Sequence, residues 1–423
     1  MNRITIAPAK DRFLLDGKPW FYLADTIWSA FTSPTLREWD EYLGTRKRQG
    51  FNALQINVLP QWDRSEPGHG IPPFLRRDRR FDFSRPNPAY FDHAEKILEA
   101  AVRRGFKPCL ALLWCNYVPG TWAAKHKANP LMPLGDVAGY VTHAAKRFAR
   151  FSPLYMVSGD TNLDSPRALR HYRAALKALK ATDPKALATM HTSPMQEYTR
   201  DLMRNIDFYM YQSGHTVDTA MRFCWENAEK LAGMPVKKPV VNGEPCYEGH
   251  GWGHGKYGRY RDFDVRRAAW SSVLAGARAG VAYGAHGVWG WHKPGLPFPG
   301  TAFSDTPYPW REALRFPGVK STAFLKSFLE KPGMQDLVPA QGILRDPKPG
   351  IRAAASKDGR LMVIYVPFNA ELRLAVRSKD YRMQWVLFPD RRTVRTEALA
   401  EGAETRVRMH AGLQDAILIG RKR

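Results

Sequence analysis

Short apolar runs alternate with amphipathic helix patterns over about the first 335 residues, and this alternation strongly constrains the fold. The runs are almost continuously apolar, which is typical of strands buried on both faces of a parallel sheet. Eight runs occur, at residues 20–24, 51–57, 108–114, 154–158, 187–191, 207–211, 239–242 and 281–289. Eight strand–helix repeats predict an α/β fold, a parallel sheet closed into a (β/α)8 TIM barrel.

Local capping signals mark where the helices between these runs begin and end. Thr35 and Glu38 form a capping box before an apolar stripe, and Gly50 is placed to end that helix. Asn87 and Pro88 begin the next predicted helix, and Gly105 ends it. These signals place each helix between two strands, as a barrel requires.

The pattern changes at about residue 339, where short strand-like runs follow one another without helices. The runs lie at residues 351–356, 360–367, 371–376, 383–388, 405–409 and 415–420. Asp358 and Gly359 separate the first two runs and are typical of a tight hairpin turn. The sequence therefore predicts two domains, a catalytic barrel over residues 1–338 and a small all-β sandwich over residues 339–423.

Two carboxylates follow a glycine at the end of a predicted barrel strand. Asp160 follows the fourth strand and Glu244 follows the seventh, and barrel enzymes carry their catalytic groups at this end of the strands. Strands four and seven face each other across an eight-stranded barrel, so both side chains can reach one pocket. Glycoside hydrolysis needs two such carboxyl groups. The alternative is structural, with Asp160 capping a helix and Glu244 paired with an arginine.

Aromatic and polar side chains cluster after the same strands, where they could contact a carbohydrate. Tryptophan faces can stack on sugar rings, while amides, imidazoles and carboxylates can bind sugar hydroxyls. Any single tryptophan or histidine of this set can instead belong to the core. The predicted substrate-binding residues are Asp25, Trp28, Asn57, Trp62, Trp114, Asn116, His191, Gln212, Trp252, His254, Trp289 and His292.

The sequence predicts neither a metal ion nor a cofactor. It contains no HxH or HExxH spacing, so we do not expect a metal site. The loop 249–255 is rich in glycine but lacks the Lys-Ser/Thr of a phosphate-binding loop, and we interpret it as a mobile lid beside Glu244. The cysteines lack paired spacings, and we expect free thiols at Cys109, Cys115, Cys224 and Cys246.

The formal net charge of +24 admits three interpretations: a solvated basic surface, an anionic glycan ligand, or nucleic acid. The basic residues are dispersed and no nucleic-acid-binding motif is present, so we expect an oligo- or polysaccharide partner and no nucleic acid. The basic run 76–80 is either solvated or an anionic subsite. The oligomeric state stays open.

No apolar run is long enough to cross a membrane, so no membrane partner is expected. The first ten residues lack the apolar stretch of a signal peptide. The expected location is therefore the cytoplasm, or the periplasm or exterior after removal of a signal.

Residues 15–28, followed by Arg46 and residues 49–52, resemble the apiosidase-like glycoside hydrolases. The segments 158–160 and 242–244 extend this resemblance over nearly the whole barrel. Residues 385–391 more loosely resemble part of the small C-terminal β-sandwich of these proteins, once labelled collagen-binding. The resemblance implies a retaining hydrolase of plant cell-wall glycan, such as apiose-bearing pectin, with Asp160 as acid/base and Glu244 as nucleophile.

Two other classes of function remain open from the sequence. A barrel can serve as a scaffold for non-catalytic carbohydrate binding or for a structural role, and such a protein would not release sugar from any glycoside. A metal-dependent hydrolase would lose its activity on treatment with a chelator.

Overall fold

A computed structural model shows the fold and describes residues 3–66, 68–125 and 130–423. Within this part of the chain, an eight-stranded parallel sheet forms the barrel, with its strands buried and helices packed outside. The barrel predicted from the alternating pattern is confirmed. The barrel strands are β1 (Tyr22–Thr26), β2 (Ala53–Asn57), β3 (Lys107–Trp114), β4 (Leu154–Gly159), β5 (Ala188–Thr189), β6 (Tyr209–Gln212), β7 (Val240–Glu244) and β8 (Gly280–Tyr283).

Neighbouring strands pair in the order β5-β4-β3-β2-β1-β8-β7-β6, so β5 and β6 lie at the two ends of the sheet. Asp207 joins these ends: its backbone N–H donates to the Ala188 carbonyl at 2.8 Å, and its Oδ2 accepts from the Ala188 N–H at 2.7 Å. Thr189 Oγ1 also donates to the Phe208 carbonyl at 2.7 Å. One backbone and two side-chain hydrogen bonds thus join β5 to β6, which form no strand pairing in the described part of the chain.

The helices lie between the strands, as their capping signals predict. Thr35 and Glu38 form the expected capping box, and Gly50 follows that helix with a φ of 89°. The helices are α1 (Leu36–Arg48), α2 (Pro88–Arg103), α3 (Leu134–Phe148), α4 (Pro166–Thr182), α5 (Arg200–Asn205), α6 (Val217–Ala232) and α7 (Asp262–Ala275), with others at Thr301–Ser304, Trp310–Ala313 and Gly318–Leu329.

Two strand arrangements outside the barrel were not predicted. An antiparallel sheet of Ile4–Ile6, Phe13–Leu15 and Lys18–Trp20 precedes β1. A hairpin of Phe74–Arg77 and Arg80–Pro86 follows β2, in the segment where the sequence pattern predicts a long loop. The basic run 76–80 therefore forms the tip of a hairpin, where Asp78 and Arg79 have positive φ.

The C-terminal domain is the predicted sandwich, built from a six-stranded and a three-stranded antiparallel sheet around its own apolar core. The predicted Asp358–Gly359 turn joins two neighbouring strands of the larger sheet. In pairing order, the larger sheet contains Val338–Pro339, Arg352–Ala355, Leu361–Val366, Ala416–Lys422, Tyr381–Leu387 and Thr393–Arg395, and the smaller contains Leu372–Leu374, Glu404–Val407 and Ala398–Glu401.

The outer face of the six-stranded sheet packs on helix α7 of the barrel. The Trp270 and Tyr365 rings stack with centroids 6.2 Å apart and planes within 9°. Beside them, Asp415 accepts from Arg266 Nε at 2.8 Å and Arg266 Nη2 at 2.6 Å, and both side chains are fully buried. Tyr365, Val363 and Ile417 belong to the same apolar cluster as the barrel core, so this face of the sheet extends the barrel core, while the sandwich keeps a second core inside.

Across the described ranges, no helix is both long and apolar enough to span a membrane.

Candidate active site

A cleft of about 440 Å³ opens at the carboxyl ends of the barrel strands and contains both Asp160 and Glu244. This is the end of the barrel at which catalytic groups gather. Five other predicted residues line it: Trp28, Trp62, Trp114, Gln212 and Trp289. Residues outside the predicted substrate-binding set also line the cleft, among them Gln61, Asp63, Trp122, Ser193, His215, Tyr247, His250 and Phe303.

Asp160 directly follows β4, and the tight packing of Gly159 explains the glycine before it. A Cβ atom on Gly159 would lie 1.8 Å from the Trp114 ring, so no larger residue fits there. Asp160 has a φ of 42°, an uncommon backbone conformation for a residue with a side chain. Its Oδ1 accepts from Ser193 Oγ at 3.0 Å and Gln212 Nε2 at 2.9 Å. Burial and the charge of Glu244 raise the pKa of Asp160 above its ordinary value.

Glu244 ends β7, and two histidines contact its carboxylate. Its Oε1 accepts from His215 Nε2 at 2.9 Å, and its Oε2 lies 3.1 Å from His191 Nε2. Burial by itself raises the pKa of Glu244, but these contacts outweigh burial and lower it to about 2. Gly243 precedes Glu244, and a Cβ there would lie 2.5 Å from Met210 Sδ. Packing against the rigid Trp114 ring therefore requires glycine at 159, whereas a larger residue at 243 would displace the flexible Met210 side chain.

One imidazole ring lies between the backbone of Asp160 and the carboxylate of Glu244. The backbone N–H of Asp160 donates to His191 Nδ1 at 3.0 Å, so this nitrogen acts as an acceptor. The ring hydrogen then lies on Nε2, the atom that faces Glu244. The tautomer of His191 thus favours an ionised Glu244.

Asp63 is a third carboxyl group of the cleft that the sequence reasoning missed. It lies on the loop after β2, and its Oδ1 is buried without a hydrogen-bond partner in the described structure. Burial, together with the charges of Asp160 and Glu244, raises the pKa of Asp63 to about 7. The available sequence signal was its position beside Trp62, six residues beyond the end of a strand.

The tryptophans of the cleft divide into a buried floor and a more exposed rim. Trp28 and Trp114 pack together with ring centroids 4.9 Å apart and are 3% and 6% exposed. Trp62 and Trp122 meet edge to face at 6.3 Å, and Trp122 is 37% exposed. Trp122 Nε1 also donates to the backbone carbonyl of Asp160 at 2.7 Å, so the rim contacts the main chain of the proposed acid/base.

Asp25 lies away from the cleft, which corrects the expectation that it faces substrate. It is fully buried, and its Oδ2 accepts from Arg46 Nε and from Tyr42 OH, each at 2.6 Å. A buried carboxylate paired with a buried arginine holds helix α1 against β1. Asp25 is therefore a structural residue.

Asn57 and Asn116 are also displaced from the cleft. Asn57 Nδ2 donates to Gln61 Oε1 at 2.7 Å, so it supports a lining residue. Asn116 is 2% exposed and borders a neighbouring groove of about 400 Å³ on the far side of Trp62. Neither side chain is part of the described lining of the cleft that contains Asp160 and Glu244.

The remaining predicted residues lie behind the walls of the cleft. His292 is buried, and its Nδ1 lies 2.9 Å from Ser65 Oγ. Trp252 packs against Gly258 within the loop that the sequence suggested as a lid. His254 is exposed and meets Phe303 edge to face at 5.4 Å. This loop therefore supports Phe303 of the cleft wall and also contributes His250 to the lining.

Within the described ranges, no group of three or more His, Cys, Asp or Glu side chains is arranged to hold a metal ion. The four cysteines are buried free thiols.

The family model of the apiosidase-like catalytic domain matches residues 8–336. The chain belongs to the apiosidase-like family. This membership, together with the barrel, makes the protein a glycoside hydrolase. No curated protein matches the chain.

Solved structures of glycoside hydrolases share the fold of this apiosidase-like chain. One described only as a glycoside hydrolase has a TM-score of 0.83 at 20% identity, covering 99% of this chain and 97% of the other. A family 5 glycoside hydrolase from Bacteroides vulgatus has a TM-score of 0.81 at 20% identity, covering 99% and 92%. A family 30 xylanase from Clostridium acetobutylicum has a TM-score of 0.50 at 9% identity, covering 100% of both chains.

Proposed function

We propose that this protein is a retaining glycoside hydrolase in which Glu244 is the nucleophile and Asp160 is the acid/base. The observation that carries the proposal is that both carboxyl groups lie in one cleft, where two histidines contact Glu244 and neutral donors bind Asp160. The pKa of Glu244 is lowered to about 2, whereas that of Asp160 is raised. A pair of carboxyl groups with pKa values pushed apart is the arrangement that supplies one base and one acid at the same pH.

In the first step, a Glu244 oxygen attacks the anomeric carbon and forms a glycosyl ester. The bond from that carbon to the leaving oxygen breaks, and Asp160 gives its proton to this oxygen. His191 and His215 keep Glu244 ionised until it attacks. Ser193 and Gln212 both bind Oδ1 of Asp160, so Oδ2 is the oxygen available to carry the proton.

In the second step, Asp160 removes a proton from water, and the resulting hydroxide attacks the anomeric carbon. The ester bond to Glu244 breaks, which returns Glu244 as a carboxylate and Asp160 as an acid. Two displacements at one carbon give a product with the configuration of the substrate.

The substrate in this proposal is a plant cell-wall or related glycan. Trp62 and Trp122 offer ring surfaces at the rim, where a sugar ring can stack. Asp63 lies in the same cleft with an unpartnered oxygen, and we assign it to a sugar hydroxyl. A cleft with exposed aromatic rings and a few polar groups suits a carbohydrate ligand.

The test compares Glu244→Gln with Glu248→Gln, a matched change four residues away. Glu248 is 3% exposed and binds Tyr283 and the Gly318 N–H, outside the cleft. Wild type and both variants are incubated with a panel of aryl glycosides and of pectic and arabinan-type polymers, and the released sugars are measured. We expect Glu244→Gln to lose at least about 10⁴-fold in kcat because the nucleophile is absent, and Glu248→Gln to keep most activity.

Circular dichroism checks that both variants fold. Full activity of folded Glu244→Gln would refute the assignment of the nucleophile. If wild type binds members of the panel but hydrolyses none, the non-catalytic carbohydrate-binding alternative replaces the proposal.

A further inference from the structure

The C-terminal sandwich carries an open groove of about 730 Å³ whose charged side chains are all basic. Lys379, Arg382, Arg395 and Arg423 line it, and all four are exposed. In the described part of the chain, no barrel residue contributes to its lining. The groove is therefore separate from the active-site cleft.

Strand pairing beside the groove places like charges next to each other, because Arg382 of its lining is paired with Arg421 outside it. Arg382 lies directly opposite Arg421 on the neighbouring strand, so both side chains project from the same face of the sheet. On the other side, Gln384 lies opposite Arg395. Like charges directly across a strand pair destabilise a sheet, and a bound anion would relieve this repulsion.

The acidic residues around the groove are already engaged elsewhere. Asp380 pairs with Arg377 at 2.9 Å, and Glu397 pairs with Arg408 at 3.0 Å. Over the described ranges, none of the four basic side chains of the groove has a carboxylate within 4.0 Å. Their positive charge is thus left for a ligand to neutralise.

The other sheet of the sandwich provides a contrast. Arg373 and Arg406 also lie directly opposite each other across two strands. There, however, Glu401 and Glu404 lie within 3.8 Å of one or both arginines. An opposed arginine pair in this domain is therefore neutralised on one sheet and left without carboxylates on the other.

We propose that the groove binds a carboxylate-bearing polysaccharide and holds the enzyme on acidic glycan near the bonds that it cleaves. Hydroxyl and amide side chains, Thr393 and Gln384, alternate with the basic residues and suit sugar hydroxyls. Thr396 Oγ1 also lines the groove, buried and without a partner in the described structure. Nucleic acid is less well matched because Tyr381 is the aromatic side chain of the lining, and its hydroxyl donates to the Gly359 carbonyl. This inference rests on the proposed function.

The experiment measures binding of the full chain, in the Glu244→Gln background, to polygalacturonate, to neutral arabinan and to double-stranded DNA. The groove variant is Arg382→Gln with Arg395→Gln, and the matched control is Arg373→Gln with Arg406→Gln, which removes the same charge from the other sheet. We expect the groove variant to weaken polygalacturonate binding at least about tenfold at low salt, and the control to change it less than about twofold. Added salt should reduce the difference.

Equal losses of polygalacturonate binding in the two double variants would overturn the proposal. So would a failure of the Glu244→Gln protein, with all four arginines intact, to bind polygalacturonate. Tighter binding of DNA that depends on Arg382 and Arg395 would also overturn it and assign the groove to nucleic acid. A further assay measures hydrolysis of a small aryl glycoside by the groove variant with Glu244 intact. It distinguishes a failure of the groove proposal from a failure of the proposed function. We expect that rate to be unchanged because the groove is apart from the cleft.

Discussion

His191 and His215 divide the chemical roles of the two cleft carboxylates. Both histidines contact Glu244 and lower its pKa to about 2, so the ionised form is favoured above that pH. Asp160 receives hydrogen bonds from neutral Ser193 and Gln212 side chains, while burial and the charge of Glu244 favour its protonated form. The division of roles therefore follows from which carboxylate the histidines reach.

The sequence could predict Asp160 and Glu244 because their positions follow a rule of the barrel. Each stands at the end of a strand directly after a closely packed glycine, and both facts leave a local pattern in the chain. His215 and Asp63 lie further along loops, where residue spacing does not fix direction. Asp25 shows the reverse case: it lies at a strand end, but its side chain turns to Arg46 in helix α1.

Asp63 predicts a specific dependence of activity on pH. Its raised pKa of about 7 means that it is protonated below this pH and ionised above it. The ionised form adds a negative charge near Asp160, which raises the pKa of Asp160 and keeps the acid protonated to higher pH. We expect Asp63→Asn to move the alkaline limb of kcat/KM to lower pH by up to about one unit and to remove an inflection near pH 7.

The matched control is Asp164→Asn, because Asp164 also follows a barrel strand but is exposed outside the cleft. Its profile should coincide with that of wild type. If Asp63→Asn also left the pH profile unchanged, the predicted effect of Asp63 on the pKa of Asp160 would be wrong.

At the scale of elements, the capping residues of α1 and α2 mark where these helices start, because a side chain that caps a helix is a local signal. Strand β8 ends at Tyr283, whereas the apolar run continues to Trp289. The later part of this run is buried against the cleft as a loop, and burial alone does not distinguish it from a strand.

The meeting of β5 and β6 shows a limit of pattern reading for barrels. The sequence indicates two strands there, but β5 is only Ala188–Thr189 and does not pair with β6 in the described structure. The connection depends on the Asp207 side chain and on Thr189 Oγ1. Such side-chain links join residues far apart in the chain and have no periodic signature.

At the scale of the molecule, the sandwich is joined to the barrel by a buried ion pair as well as by apolar packing. Asp415 binds Arg266 through two hydrogen bonds and also accepts from Tyr365 OH at 2.7 Å. Because both charged groups are fully buried, removing one of them leaves the other charge unpaired and without water, which costs free energy of folding. The pair should therefore couple the unfolding of the two domains.

We expect Asp415→Ala to lower the free energy of unfolding by about 3–5 kcal/mol, because Arg266 is left buried without its main partner. The control is Asp262→Ala, whose carboxylate also contacts Arg266, at 3.2 Å, but is 31% exposed. That change should cost about 1 kcal/mol or less. Chemical denaturation measures both values, and equal losses would show that Asp415 does not hold the domains together.

The most direct test of the whole account is the covalent step at Glu244. Once the panel of glycosides identifies the cleaved sugar, its 2-fluoro derivative with an activated leaving group is incubated with the enzyme, and peptides are mapped by mass spectrometry. We predict one glycosyl group attached to Glu244, and sugar product released from the ordinary substrate with retained configuration. An unmodified Glu244 together with an inverted product would contradict the account.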